Sequence, residues 1–284
     1  MFRKIIKKSA LILYHSNIHV GFIAYCFVDL SIKFFNINCN QSLIMVISLS
    51  AVAAYNTDRL KYFLKKDKEN MPSRVDFHLK NSWLAPFLVI ISSALILLFI
   101  NNIKLSIIIL YAGIFIAVII YFFFVNISLY SSNNIFFAAL KPFYIGFIWS
   151  VITSFVPLIE IYTKKKDAVI LLLLHRFLLF SANALWFDFK DKTGDLKTKK
   201  PNIHLHIGFT QYIFIILLLC VLDIFLVFLG VSKNIPVFLW YETIPLIFYT
   251  LLLPLAFIKK EFSEKFYLTA VDGILLVPYI FIFI

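Results

Sequence analysis

Nine stretches of roughly 20 apolar residues follow one another along the chain, at 10–33, 41–63, 83–100, 104–125, 136–158, 168–188, 209–230, 236–257 and 266–284, separated by short polar breaks. A helix needs about that length to cross a bilayer, and in hydrocarbon only a structure that satisfies its own backbone hydrogen bonds survives. The expectation is an all-α polytopic membrane protein, a single transmembrane domain over 1–284 with about nine transmembrane helices. Composition closes the soluble alternative: 62% of the residues are hydrophobic and 15% charged, too few charges to cover a soluble surface. The basic start runs into an apolar stretch reaching about Phe35 with no small-residue cleavage pattern, which reads as a first helix and not a signal peptide. Cys26, Cys39 and Cys220 are far apart and form no CxxC, so neither a zinc site nor a disulfide framework is suggested.

The net charge of +12 lies between apolar runs and not on an amphipathic surface, so it marks topology and not a nucleic-acid partner. With the N-terminus inside, 20 of the 27 Lys and Arg fall in inner segments and six in outer ones, with Arg176 inside a span. This predicts a cytoplasmic N-terminus, an external C-terminus, and two polar loops, about 59–82 and 189–207, on the cytoplasmic face.

The second loop opens with "DFKDKTGD". Asp188, Asp191 and Asp195 are spaced three and then four apart, which lines one face of a continuing helix. Like charges at that spacing repel, and the C-terminal end of a helix disfavours anions further. Lys190, Lys192 and Lys197 offset part of this; Mg²⁺ with phosphate oxygens completing its shell offsets it better. The alternative is a solvated charged loop. The first loop, "YNTDRLKYFLKKDKENMPSR", carries Asn56 and Asp58 at the end of the second run, then Asp67, Glu69, Asn70 and Arg74. Four spans separate the two loops, so two acidic clusters could face each other across a bundle and hold metal ions around a diphosphate.

In this layout the chain resembles the UbiA superfamily of intramembrane aromatic prenyltransferases. That family has nine helices and two Asp-rich motifs, after helices two and six, bridged through Mg²⁺ to a prenyl diphosphate. The second motif stands intact at residues 188–195. The first departs: Thr57 replaces a paired Asp, Leu60 and Leu64 stand where later ones fall, and "DKENMPSR" supplies a last Asp and the tail about three residues late. The resemblance implies that Asp188, Asp191 and Asp195, with Asn56, Asp58 and Asp67, hold Mg²⁺ and the diphosphate. It further implies that Arg74, Lys141 and Lys197 face phosphate, and that an allylic cation shielded by aromatic faces is attacked by a lipophilic, aromatic acceptor.

His15 and His19, one turn apart, read as cavity-lining or packed side chains and not as a metal pair; His204 and His206 read as solvated, and Glu242 and Asp272 as interfacial, the less costly placement, with a place in the cavity wall as the alternative. No Walker loop, GxGxxG, HExxH or serine elbow is present. Two other functions remain: a catalytically silent lipid-binding or scaffold homologue, which the damaged first motif favours, and a transporter, which would place charges deep in Gly- or Pro-broken spans. High Lys, Asn, Ile and Phe usage points to an AT-rich genome and a bacterial inner membrane.

Overall fold

The structure, a computed structural model, describes residues 12–13, 15–38, 40–57, 59–60, 68–126, 135–198, 200–232, 239–258, 262–263 and 266–281. Every regular element among them is helical. Helices α1 (Ile18–Phe35) and α2 (Gln41–Thr57) are followed by a short α3 (Pro72–Lys80), then α4 (Leu84–Ile100) and α5 (Leu105–Asn126). Helix α6 (Ile135–Ser150) runs on through a π turn (Val151–Phe155) and a last 3-10 turn (Ile159–Ile161). Helix α7 (Lys166–Thr198), a 3-10 turn (Ile203–Leu205), α8 (Phe209–Ser232) and α9 (Leu239–Ile258) come next. The last run is broken into a π turn (Tyr267–Val271), a 3-10 turn (Gly273–Leu276) and α10 (Val277–Phe281).

Among the described residues, four helical stretches are long and apolar enough to cross a membrane: Ile18–Phe35, Ile135–Ile161, Lys166–Thr198 and Phe209–Gly230. Pro72–Lys80 and Leu84–Ile100, bent by 81°, add a fifth when taken as one span, and shorter apolar helices cover the other runs. The chain is an all-α integral membrane protein, and its outward faces suit lipid: Ile90, Leu97, Leu98, Ile109 and Ile116 are exposed on α4 and α5.

Helix α1 is buried on nearly every side. It starts only after Asn17, whose φ of 55° is left-handed, and stops at Asn36, φ 48°; asparagine is among the few side chains that tolerate that region. The expected first span at 10–33 is thus interrupted at Ser16–Asn17 within its described part. A break in a helix exposes backbone carbonyls, and α2 covers them. Asn56 Nδ2 donates to the carbonyl of Ser16 (2.8 Å), and Asn17 Nδ2 donates in return to that of Tyr55 (3.2 Å). Against α7, α6 packs through Gly146, where a Cβ would lie 2.9 Å from the Phe177 carbonyl; small residues permit this approach of membrane helices.

The expected loop at 189–207 is helical as far as Thr198, because α7 continues through the acidic residues, and the expected loop at 59–82 contains α3. A pair of ionic contacts ties α7 to its neighbours in the apolar interior. Arg176 forks onto Glu242 of α9 (Nε–Oε2 2.8 Å, Nη2–Oε1 2.6 Å) and donates through Nη1 to Ser31 Oγ (2.6 Å) and the Thr153 carbonyl (2.7 Å). Beside it, His175 Nδ1 lies 2.5 Å from Asp223 Oδ1 of α8. Arg176, His175, Glu242 and Asp223 are all fully buried, so Glu242 is not interfacial: its bidentate partner makes the interior position affordable.

Candidate active site

Where α7 emerges from the apolar layer, it borders a cavity of about 420 Å³. Asp188, Asp191 and Asp195 all line it, on one face of an unbroken helix as their spacing predicts. Lys141 of α6 reaches into the same place, its Nζ 2.6 Å from Asp188 Oδ1 and 3.6 Å from Asp195 Oδ2. Asp191 pairs with Lys190 at 3.0 Å. Asp195 is held from two sides, by Asn70 Nδ2 on Oδ1 (2.9 Å) and Asn202 Nδ2 on Oδ2 (3.0 Å).

Asn70 belongs to the tail of the first loop, so the two polar segments meet. Gly194 makes the meeting possible, since a Cβ there would run into the Asn70 side chain. A few residues outward, Lys197 Nζ lies 2.8 Å from Glu69 Oε2 on the exposed rim. That contact holds the Glu69 carboxyl below its usual range, chiefly through the hydrogen bond from Lys197.

Of the residues expected here, Asp188, Asp191, Asp195, Arg74 and Lys141 line the cavity. Lys197 does not, being engaged with Glu69. Asn56 does not either: it is fully buried and gives its amide hydrogens to the Ser16 and Val52 carbonyls, both at 2.8 Å. Asp58 and Asp67 lie outside the described residues. Arg59, Asn70 and Lys200 also line the cavity; in the sequence Arg59 is one of the basic residues of the first loop that could screen carboxylates or bind phosphate, Lys200 counts toward topology, and Asn70 is one polar residue of a loop. Deeper in, the wall includes Asn17, His19, Asn183 and Asp272 among Ile23, Ala184, Phe187 and Leu275. Asp272 is thus a cavity residue and not an interfacial one.

The donor set suits a hard cation in kind. Asp188 Oδ2 is buried with no hydrogen-bond partner, an atom that costs free energy unless something positive reaches it. Among the described residues no three His, Cys, Asp or Glu side chains converge as ligands. Mg²⁺ does not require three, since it is commonly held by one or two carboxylates with phosphate and water oxygens in the other places.

His204, expected to be solvated, is buried and stacked on Tyr212, ring centroids 4.6 Å apart, and on Phe189 at 5.4 Å. Burial, with Lys192 adding to it, lowers its pKa to about 4. The folded chain therefore keeps His204 neutral where an unfolded chain, titrating near 6.5, takes up a proton. Its contribution to stability is constant above about pH 6.5 and declines as pH falls from there toward about 4. We expect protection factors in 200–212, each referenced to the intrinsic exchange rate at its own pH, to fall between pH 6.5 and pH 4 and His204→Phe to remove that pH dependence; protection that stays constant in the wild type refutes the assignment.

No family model matches the sequence, and no curated protein matches it. A solved digeranylgeranylglyceryl phosphate synthase from membranes is similar over 97% of this chain and 98% of its own, with a TM-score of 0.55 and 19% identity. Covering nearly all of both chains, that similarity shows that this protein shares the helical membrane fold of that synthase.

Proposed function

We propose that the chain moves a prenyl group from a prenyl diphosphate to a lipophilic acceptor, at the cytoplasmic face of the membrane and with Mg²⁺. The observation that carries the reading is the meeting of the acidic face of α7 with the segment around Asn70 and Arg74 at one cavity whose wall is mostly apolar. Such a cavity suits a ligand with a strongly anionic head and a long apolar tail. A shared helical membrane fold with a synthase of prenylated glyceryl phosphate supports it, as does the orphaned carboxylate oxygen of Asp188.

In this reading Asp188 and Asp191 would hold the cation, and the chemistry it would supply is charge neutralisation of the departing diphosphate. Arg59, Arg74 and Lys200 grip phosphate oxygens, the arginines by forks and the lysine as a point charge. Lys141, anchored by Asp188 and Asp195, is aimed where negative charge grows on the leaving group. Asp195 is a positioning residue that keeps the two polar segments together through Asn70 and Asn202. Tyr55, Trp149, Phe180 and Phe187 border the cavity and offer π faces to an allylic cation while their bulk excludes water.

The direct test is binding of radiolabelled farnesyl diphosphate to purified protein in detergent. We expect saturable binding that EDTA removes and Mg²⁺ restores, and Arg74→Met to weaken it by about tenfold or more. Binding indifferent to EDTA refutes the metal-held donor. Binding without transfer to any acceptor favours the silent lipid-binding homologue that the altered first motif allows.

A further inference from the structure

The deep wall of the cavity carries polar groups that the donor does not use. Asp272 sits between the π turn and the 3-10 turn of the C-terminal run, and its side chain caps neither. Its carboxylate lines the cavity, 14% exposed, with His19 Nε2 3.4 Å from Oδ2. Asn183 lines the same wall. Its Nδ2 is committed to Tyr249 Oη (2.8 Å) and the Val271 carbonyl (3.4 Å), which leaves Oδ1 as its acceptor for a ligand. Carboxylate and amide oxygen thus line one cavity, Asn183 reaching the carbonyl of the residue before Asp272, in a wall that also holds Asn17, Ile23, Ala184, Phe187 and Leu275. Asn183 precedes Asp188 by five residues on one helix, so this wall lies roughly 8 Å deeper than the first aspartate at 1.5 Å rise per residue.

Hydrogen-bond acceptors in an apolar wall select a donor. A carboxylate in membrane is costly and retained for a role; it repels an anion and takes a neutral hydroxyl through a charge-assisted bond. We propose that Asp272 is the acceptor-binding residue: with Asn183 it receives the hydroxyl of an uncharged phenol or alcohol, while His19 positions the carboxylate from behind. This rests on the prenyl-transfer reading, in which the acceptor enters beyond the diphosphate, and it narrows the acceptor to molecules bearing a neutral hydroxyl at that depth.

The test compares radiolabelled 2-naphthol with naphthalene, each corrected for micelle partition by excess unlabelled compound, beside Mg²⁺-dependent farnesyl diphosphate binding on the same preparations. We expect the wild type to hold naphthol about tenfold or more tighter than naphthalene, the scale of one hydrogen bond to a charged group. Asp272→Leu erases that difference while naphthalene and farnesyl diphosphate bind as before. His19→Gln narrows it and leaves naphthalene affinity unchanged, whereas a merely structural loss lowers both. A wild type without the hydroxyl preference, or an Asp272→Leu variant that keeps it, overturns the assignment. Loss of farnesyl diphosphate binding in the wild type overturns the donor reading instead, with the hydroxyl preference still measured on its own.

Discussion

Asp191→Ala lowers prenyl transfer by roughly 10²- to 10³-fold, the scale on which one group that stabilises transition-state charge is lost, while the protein still folds. Asp191 is the right residue for this test because of what its removal leaves behind. Its ionic partner Lys190, whose side chain is 7% exposed, loses its 3.0 Å contact but stays over the rings of Phe187 (5.6 Å) and Tyr267 (5.8 Å), which offset part of the loss. Asp188→Ala is less clean, since it strips Lys141 of its 2.6 Å contact and leaves Asp195 at 3.6 Å and the Pro201 carbonyl at 3.4 Å. Asp195→Ala orphans amide donors on Asn70 and Asn202 and lets the two polar segments part, so its defect should appear in thermal unfolding as well as in turnover. The measurements are initial rates with saturating donor and Mg²⁺ and melting in the same detergent. Turnover that survives Asp191→Ala intact removes the proposed chemistry.

The acidic face of α7 was legible in advance because it depends on local spacing: three and four residues bring side chains into register on any helix. That the helix carries on for three turns past the apolar run was not, since Lys, Thr and Gly end helices as readily as they continue them, and here the partners that keep it ordered, Asn70 and Asn202, come from elsewhere in the chain. Asn56 shows the opposite failure. An asparagine at the end of a membrane run reads as functional, yet its amide is spent on a carbonyl exposed by the break at Asn17, a left-handed kink that no apolar pattern records. Arg59 and Lys200 blended into the general excess of inner positive charge, and only the fold separates cations at the cavity from cations on the rim. The deep wall was hidden for a similar reason: His19, Asn183 and Asp272 are 164 and 89 positions apart in turn and meet only when the bundle closes.

Arg176→Met costs about 3–5 kcal/mol of stability, because it takes the bidentate partner from Glu242 and leaves that buried carboxylate with only His175 Nε2, 3.6 Å from Oε2, beside it. Removing the guanidinium also takes the donor from Ser31 Oγ and one of two donors from the Thr153 carbonyl, which keeps Ser31 Oγ at 2.7 Å, so the change loosens α1, the π turn of α6, α7 and α9 together. The double variant Arg176→Met with Glu242→Met regains most of that loss, since two apolar side chains replace a pair whose attraction was offset by desolvation. Thermal unfolding in detergent reads both effects. A single variant that melts with the wild type, or a double variant no more stable than Arg176→Met, shows that the pair is not the unit holding these helices. The consequence reaches the cavity through packing: Arg176 lies over Phe27 (5.0 Å), Phe27 against Phe180 (4.9 Å), and Phe180 against Trp149 (5.2 Å), and the last two border the chamber. The single variant therefore weakens naphthalene binding as well as stability, whereas the double variant, with the wall repacked, recovers it. Separation of those two readouts would mean that the ionic pair supports the bundle without shaping the cavity.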